Sequence, residues 1–214
     1  MTLDEFRNEF DILYNNIASN AAPPIDDYEK SVFLSQAQDN IVKNLYRGDP
    51  QSGLSFENSE ESREYLSDIV VEMEFESENS GPIYGFDKPS DLLYILRETC
   101  TVNTNTCNLE EIEVKPTTLN DLNRSLNNPF KRPSGNKVIR ANIGNTIRLY
   151  SKYPIEKYKI VYLQQPRPIV LSDLEEGLSI NGVDYMSECE LNPAIHRDIL
   201  NNAVALAKAA YIIN

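Results

Sequence analysis

The chain opens with apolar residues three and four apart. Leu3, Phe6, Phe10, Leu13, Tyr14 and Ile17 recur at the spacing that lines one face of an α-helix. Thr2 and Glu5 stand at the two ends of a capping box, in which the hydroxyl accepts a backbone N–H and the carboxylate reaches back. The pattern breaks over 20–24. A second helix is predicted from Asp26-Asp27-Tyr28-Glu29, with Leu34, Ala37, Ile41 and Leu45 on one face, stopping at Gly48-Asp49-Pro50. Two helices joined by a short Pro-containing link are expected to pack as a hairpin. A third, shorter helix is predicted to begin at Asn58, with Glu61 closing its box, and to bury Leu66, Ile69 and Val70. At the other end Asn192 caps a last helix and Pro193 takes its first position, where a missing N–H costs nothing. Ile195, Ile199, Ala203, Leu206 and Ala210 form its stripe, small enough to lie close on the N-terminal pair.

Between these ends the period changes to two. Ile112 and Val114 alternate with Glu111, Glu113 and Lys115; Ile139, Ala141 and Ile143 alternate with Arg140 and Asn142. Gly144-Asn145 turns the chain into Ile147, Arg148 and Leu149, with glycine first as a type II′ hairpin prefers. Residues 157–163 and 92–102 read as further strands, 118–126 as a short helix in a crossing, and Asn181-Gly182 as a second small hairpin. Segments 77–90 and 127–135 read as extended loops, expected to be contact arms that order on a neighbour. The fold class is α+β. A helical layer from the N-terminal helices and the C-terminal helix is expected to pack with a mainly antiparallel β middle. One domain is expected over 1–214: a helical part over 1–73, a β-rich part over 91–185 and a C-terminal helix over 192–212.

Composition sharpens this. With 214 residues, 41% of them hydrophobic, the chain can bury a real core. No uncharged apolar run approaches a membrane span, and the acidic start has no signal-peptide character, so a soluble intracellular product is expected. The net charge of −13 hides a segregation. Residues 57–78 hold nine acids against Arg63 alone, whereas 124–167 hold half of the chain's 20 Lys and Arg with Glu156 as the one acid. That basic segment, with Tyr150, Tyr153, Tyr158 and Tyr162 interleaved, could bind nucleic acid or face an acidic partner, including the acidic part of another copy. The overall negative field favours the acidic partner.

No catalytic constellation assembles. Phosphate-loop, dinucleotide, zinc-protease and nucleophile-elbow motifs are missing, and His196 is the only imidazole. His196-Arg197-Asp198 spells a kinase tripeptide without any other kinase element, so His196 reads as a helix-face or cap residue. Cys100, Cys107 and Cys189 are too sparse for a disulfide framework, although Cys100 and Cys107 could meet across a short hairpin. The expected site residues are therefore none: no catalytic, cofactor-binding or metal-binding set, no cofactor, and no enzyme.

Several segments, in order, resemble one family. They are 24–38 (PIDDYEKSVFLSQAQ); Phe56, Glu57, Arg63, Tyr65 and Leu66; and the Asn128-Pro129-Phe130-Lys131-x-Pro133 run. Tyr158, Tyr162 and Leu163 follow, then Pro166, Pro168, Ile169, Val170 and Leu171; Cys189-Glu190-Leu191 and the His196, Ile199, Ala203, Ala207 helix close the set. Together they resemble the head–tail connector and tail ring structural proteins of crAss-like bacteriophages. The resemblance implies a virion protein, assembled in the host cytoplasm, that forms a homo-oligomeric ring of twelve copies in the neck or tail. It implies portal and other tail ring proteins as partners, and DNA passing through the lumen without specific binding. A nucleic-acid-binding module built on 124–167 is the alternative. Acids of 57–78, or the N-terminal acids, facing the lumen would suit a bore that must not grip phosphate.

Overall fold

The computed structural model describes residues 1–15, 24–48, 55–77, 81–104 and 108–212. Ile17, Asp49, Pro50 and Cys107 lie outside these residues, as does part of the 77–90 segment. Among the described residues there are five helices: α1 (Leu3–Asn15), α2 (Asp27–Arg47), α3 (Glu60–Tyr65), α4 (Leu119–Asn127) and α5 (His196–Ile212). Seven strands accompany them: β1 (Val70–Glu76), β2 (Ile83–Asp87), β3 (Leu92–Thr104), β4 (Asn108–Pro116), β5 (Val138–Ile143), β6 (Thr146–Tyr150) and β7 (Ile155–Gln164). The protein is α+β, in two compact units: Met1–Ile69 with Pro166–Asn214, and Val70–Gln165.

In the first unit the capping chemistry operates as expected. Glu5 N–H donates to Thr2 Oγ1 at 3.3 Å, and Thr2 N–H donates to Glu5 Oε2 at 2.8 Å. Asp26 and Glu29 form the same reciprocal box ahead of α2. Gly48, at φ 84°, closes α2 with its N–H on the Asn44 carbonyl, a conformation that favours glycine. α5 packs against α2 and α1, while α1 and α2 meet each other only slightly, so the expected hairpin is held largely through the C-terminal helix. Phe6, Phe10 and Tyr14 of α1 and Ile199, Ala203 and Ala207 of α5 are buried. The α5 stripe differs from the expected one. Leu206 is half-buried and Ala210 exposed, because a helix touching two others also buries Leu200 and Val204. α3 is capped by Ser59, not Asn58: the Ser59 hydroxyl accepts the Ser62 N–H at 3.2 Å.

α2 buries an unexpected polar stripe: Ser31, Ser35 and Gln38. Its partner is the extended stretch around Ile169, Val170 and Leu171, each fully buried, in a segment paired to the rest only by an isolated bridge at Val170. Ser35 Oγ donates to the Ile169 carbonyl at 3.1 Å, Gln38 Nε2 to the Arg167 carbonyl at 2.7 Å, and Leu171 N–H to Ser31 Oγ at 2.9 Å. Buried backbone groups must find partners, and here a helix face supplies the ladder that a neighbouring strand would otherwise provide.

In the second unit the sheet order is β1-β7-β3-β4-β5-β6-β2, antiparallel throughout except β4–β5. A parallel pair needs a crossover, and α4, capped by Thr118, lies in it. The sheet begins at Val70, not at residue 91, and ends at Gln164. Val71, Met73 and Phe75 alternate with exposed Glu72, Glu74 and Glu76, a period of two within what composition alone marks as an acidic run. The 77–90 segment is likewise not only loop: β2 buries Tyr84 and Phe86. These aromatics explain the sheet's curl. β1 and β2 are its opposite edges, yet the Phe75 and Phe86 rings lie 5.6 Å apart, and both pack on Tyr158 of β7. The Tyr84 hydroxyl also accepts the Ile155 N–H at 3.1 Å. One apolar cluster, including Cys100, Val102, Ile112, Val114, Ile147, Leu149 and Ile160, fills the inside.

Candidate functional site

Charge organises the outer surface of the sheet unit. Antiparallel pairing of β1 with β7 sets Glu74 opposite Lys159 and Glu76 opposite Lys157. Lys159 Nζ reaches Glu72 at 2.8 Å and Lys157 pairs with Glu74, all four side chains being substantially exposed. Hydrogen bonding to these carboxylates raises both lysines above their ordinary range. Part of the acidic run is thus neutralised by part of the basic segment within one chain. Of the other described acids of that run, Glu57, Glu60, Glu61, Glu64 and Asp68 are exposed on the first unit and Glu76 is exposed on β1.

The basic segment does not present all of its tyrosines and bases outward. Tyr158 and Tyr162 are buried in the core, so the tyrosines that would stack on bases are largely unavailable. Arg140 is also turned inward, its Nε 2.9 Å from Glu98 Oε2, with both side chains nearly buried. The N–H is not aimed at that oxygen, so the pair is held by charge. Tyr158 donates its hydroxyl to the other Glu98 oxygen. Burial raises the Glu98 carboxyl above its ordinary value, opposed by the Tyr158 hydrogen bond and by Arg140. Burial first, and then the charge of Glu98, push the Tyr158 hydroxyl far up.

Two concavities flank this point. One, of about 630 Å³, is lined by residues of β3 and β4 together with Arg140. The other, of about 400 Å³, gathers Lys115, Arg124, Lys131 and Lys137 around Asp121 beside α4. Between Asn128 and Lys137 the chain is not an extended loop but a set of tight turns locked by its own hydrogen bonds. Asn128 Oδ1 accepts Phe130 N–H at 2.9 Å, the Asn128 carbonyl accepts the N–H groups of Lys131 and Arg132, and Lys137 Nζ donates to the Phe130 carbonyl. This places Phe130 outward, 89% exposed.

The groups singled out for chemistry have structural partners. His196 is buried at the start of α5; its Nε2 lies 2.8 Å from the Leu191 carbonyl and its Nδ1 2.7 Å from the Met1 amine. A carbonyl only accepts, so Nε2 carries the proton. Burial lowers the His196 pKa, partly offset by the Leu191 carbonyl and reinforced by the Met1 charge. Cys100 and Cys189 are free thiols. Burial raises both, Cys189 to about 11, which leaves that thiol protonated at neutral pH. Among the described residues, no group of His, Cys, Asp and Glu is placed to hold a metal, and no helix is long and apolar enough to cross a membrane.

A family model described as "Phage tail ring protein 3/4" matches residues 1–214, and the chain belongs to that family of structural tail ring proteins. It is 40% identical to "Ring protein 3" of Bacteroides phage crAss001, over 97% of this chain and 95% of that protein. It is 37% identical to "Ring protein 4/5" of the same phage, over 99% of this chain and 94% of that protein. The resemblance read from the sequence stands: this is a crAss-like phage virion protein. Two of the segments that carried it, 24–38 and 166–171, are those laced together by Ser31, Ser35 and Gln38.

Proposed function

We propose that this chain self-associates into a closed ring, a dodecamer in the neck or tail, that contacts the portal protein or adjacent rings. It does not act as an enzyme. DNA passes through its lumen without specific binding, and the ring is assembled in the host cytoplasm. The observation that carries this reading is kinship to ring proteins over nearly the whole length, 97% and 99% of the chain. A closed ring needs heterologous contacts, in which one face of a subunit meets a different face of the next. Exposed acids on the helical unit and exposed bases around α4 supply unlike faces, and unlike charge disfavours wrong pairings. The net charge of −13 keeps phosphate at a distance, although Lys157 and Lys159 cancel part of the β1 acidity.

The test is mass in solution by light scattering, alone and with the cognate portal complex, over a range of salt. Discrete large oligomers that weaken as salt rises are the expected result. A chain that stays monomeric with its portal and tail partners, yet binds DNA at physiological salt, would overturn the reading in favour of a nucleic-acid-binding module.

A further inference from the structure

The segment from Val170 to Ser187 is a hairpin that holds its own shape. Val170 and Ser187 form a bridge at its base, and Ile180 and Val183 form another at its tip. Between them the Leu174 N–H donates to the Asp184 carbonyl at 2.8 Å, and the Met186 N–H to Asp173 Oδ1 at 2.9 Å. Asn181 and Gly182, at φ 50° and 84°, make the tip, and two left-handed residues in succession are what a type I′ turn requires. No lysine or arginine lies between Arg167 and Arg197, so Asp173, Glu175, Glu176 and Asp184 stand on this hairpin without a base among them. All four are exposed, and none forms an ion pair among the described residues. Leu178, Tyr185 and Met186 are exposed on the same hairpin.

The cleft of about 400 Å³ beside α4 has the opposite character. Lys115, Arg124, Lys131 and Lys137 line it against the single acid Asp121. Lys115 is paired with Glu113, and Arg124 lies 3.9 Å from Asp121. Lys131 and its neighbour Arg132 are exposed and form no ion pair among the described residues, and Lys137 donates to the neutral Phe130 carbonyl. The cleft therefore keeps an excess of positive charge. Pro116 and Ile139 give it an apolar wall; Phe130, next in the chain to Lys131, and Leu119, in the first turn of α4, are exposed.

We infer that the 172–186 hairpin of one copy docks in the α4 cleft of a second copy. Glu175, Glu176 and Asp184 meet Lys131, Arg132 and Lys137, while Tyr185 and Met186 cover Phe130. The acids of 57–68 are the competing anionic surface, but they come with Arg63 and with no exposed large apolar side chain, so they offer the cleft charge alone. The inference rests on the ring reading and deepens it: hairpin and cleft are different patches of one chain, so every copy is both donor and acceptor. Both patches are fixed by local hydrogen bonds before they meet, so little ordering entropy opposes docking. Apolar contact supplies the affinity, and unlike charge sets the register.

The experiment uses the full chain under conditions in which the wild type assembles. Two differently tagged forms, Met186→Cys and Phe130→Cys, each also carrying Cys107→Ser and Cys189→Ser, are mixed and treated with a short bis-maleimide. A cross-linked dimer holding both tags is expected, and neither form alone should give it. Glu175→Lys with Glu176→Lys should weaken assembly about tenfold, as should Lys131→Glu with Arg132→Glu, with the circular dichroism spectrum unchanged. The two reversed forms mixed together should assemble again, because alternating copies restore unlike charge at every seam. Wild-type assembly without the mixed cross-link, and undiminished by reversal of Glu175 and Glu176, would overturn this contact and leave the ring reading standing. Loss on reversal of Glu60 and Glu61 instead would assign the cleft to α3 and overturn it equally. A wild type that never self-associates, alone or with its partners, would overturn both.

Discussion

Gln38, Ser31 and Ser35 are polar residues on the buried face of a helix, a position that ordinarily weakens a core. Their value comes from three buried backbone groups of the 167–171 segment, the Arg167 and Ile169 carbonyls and the Leu171 N–H, which they satisfy. Gln38→Ala leaves the Arg167 carbonyl buried without its donor and should cost about 1–3 kcal/mol of stability. A urea melt of the full chain measures it, and Gln38→Glu, which replaces the donor by an acceptor, should cost more.

Glu98 and Arg140 are coupled in a different way. Removing one partner of a buried ion pair costs about 3–5 kcal/mol, because the other charge stays buried. Arg140→Met should therefore be costly, and Glu98→Gln with Arg140→Met should cost clearly less than the sum of the two alone. A double-mutant cycle reads the difference. The pH dependence has a definite sign. The folded Glu98 pKa lies above its unfolded value, so its contribution is full below about 4.5 and is lost as pH rises through the folded value. Arg140→Met removes an effect that lowers this pKa, so the variant should recover towards wild-type stability in acid. His196 runs in the opposite direction. Its folded pKa is lowered, so its contribution is full above the unfolded value near 6.5 and is lost as pH falls from there. Relative to wild type, His196→Gln should lose less stability between pH 7 and 5.

Among the elements, the helices were legible and two strands were not. Capping boxes at Thr2 and Asp26 act within four residues, so sequence order reports them directly. Thr2→Ala or Asp26→Ala should each cost about 1 kcal/mol, with helix content preserved. β1 is hard to read from the sequence because Glu72, Glu74 and Glu76 alternate with its half-buried residues, so high charge density masks the period of two. β2 is five residues beside a Gly-Pro turn, too short to show a period by itself. What makes them strands is partly the cluster of Phe75, Phe86 and Tyr158, which the curl of the sheet assembles. Phe86→Ala should cost about 3–5 kcal/mol, as large-to-small changes at aromatic core positions do. A cost below 1 kcal/mol would mean that the two edge strands do not depend on this contact.

At the scale of the whole molecule, charge segregation read along the chain is not charge segregation in space. Pairing of β1 with β7 folds four glutamate and lysine partners against one another, and Arg140 goes inside. The bases of 124–167 left exposed for a partner are those around α4 and the Phe130 turn, together with Arg148 and Lys152. Salt should therefore weaken assembly moderately, since only these exposed charges are in play. Charge reversal at Lys131 should shift assembly more than reversal at Lys157, whose charge already has an internal partner. Light scattering on the two variants at equal concentration checks this ordering.

The sequence by itself determined what short-range chemistry controls: the caps of α1 and α2, the Gly144 turn with its φ of 61°, the α+β class and the absence of a catalytic motif. It also carried the ring-protein kinship, since that is a property of residue order. Tertiary structure alone decided which polar residues were to be buried, which acids were to be neutralised, and that β4 would pass from β3 to β5. Those outcomes depend on partners far apart in sequence, Ser35 with Ile169, Glu74 with Lys157, Glu98 with Arg140. Local periodicity says which way a side chain points, but only the folded chain says what it meets.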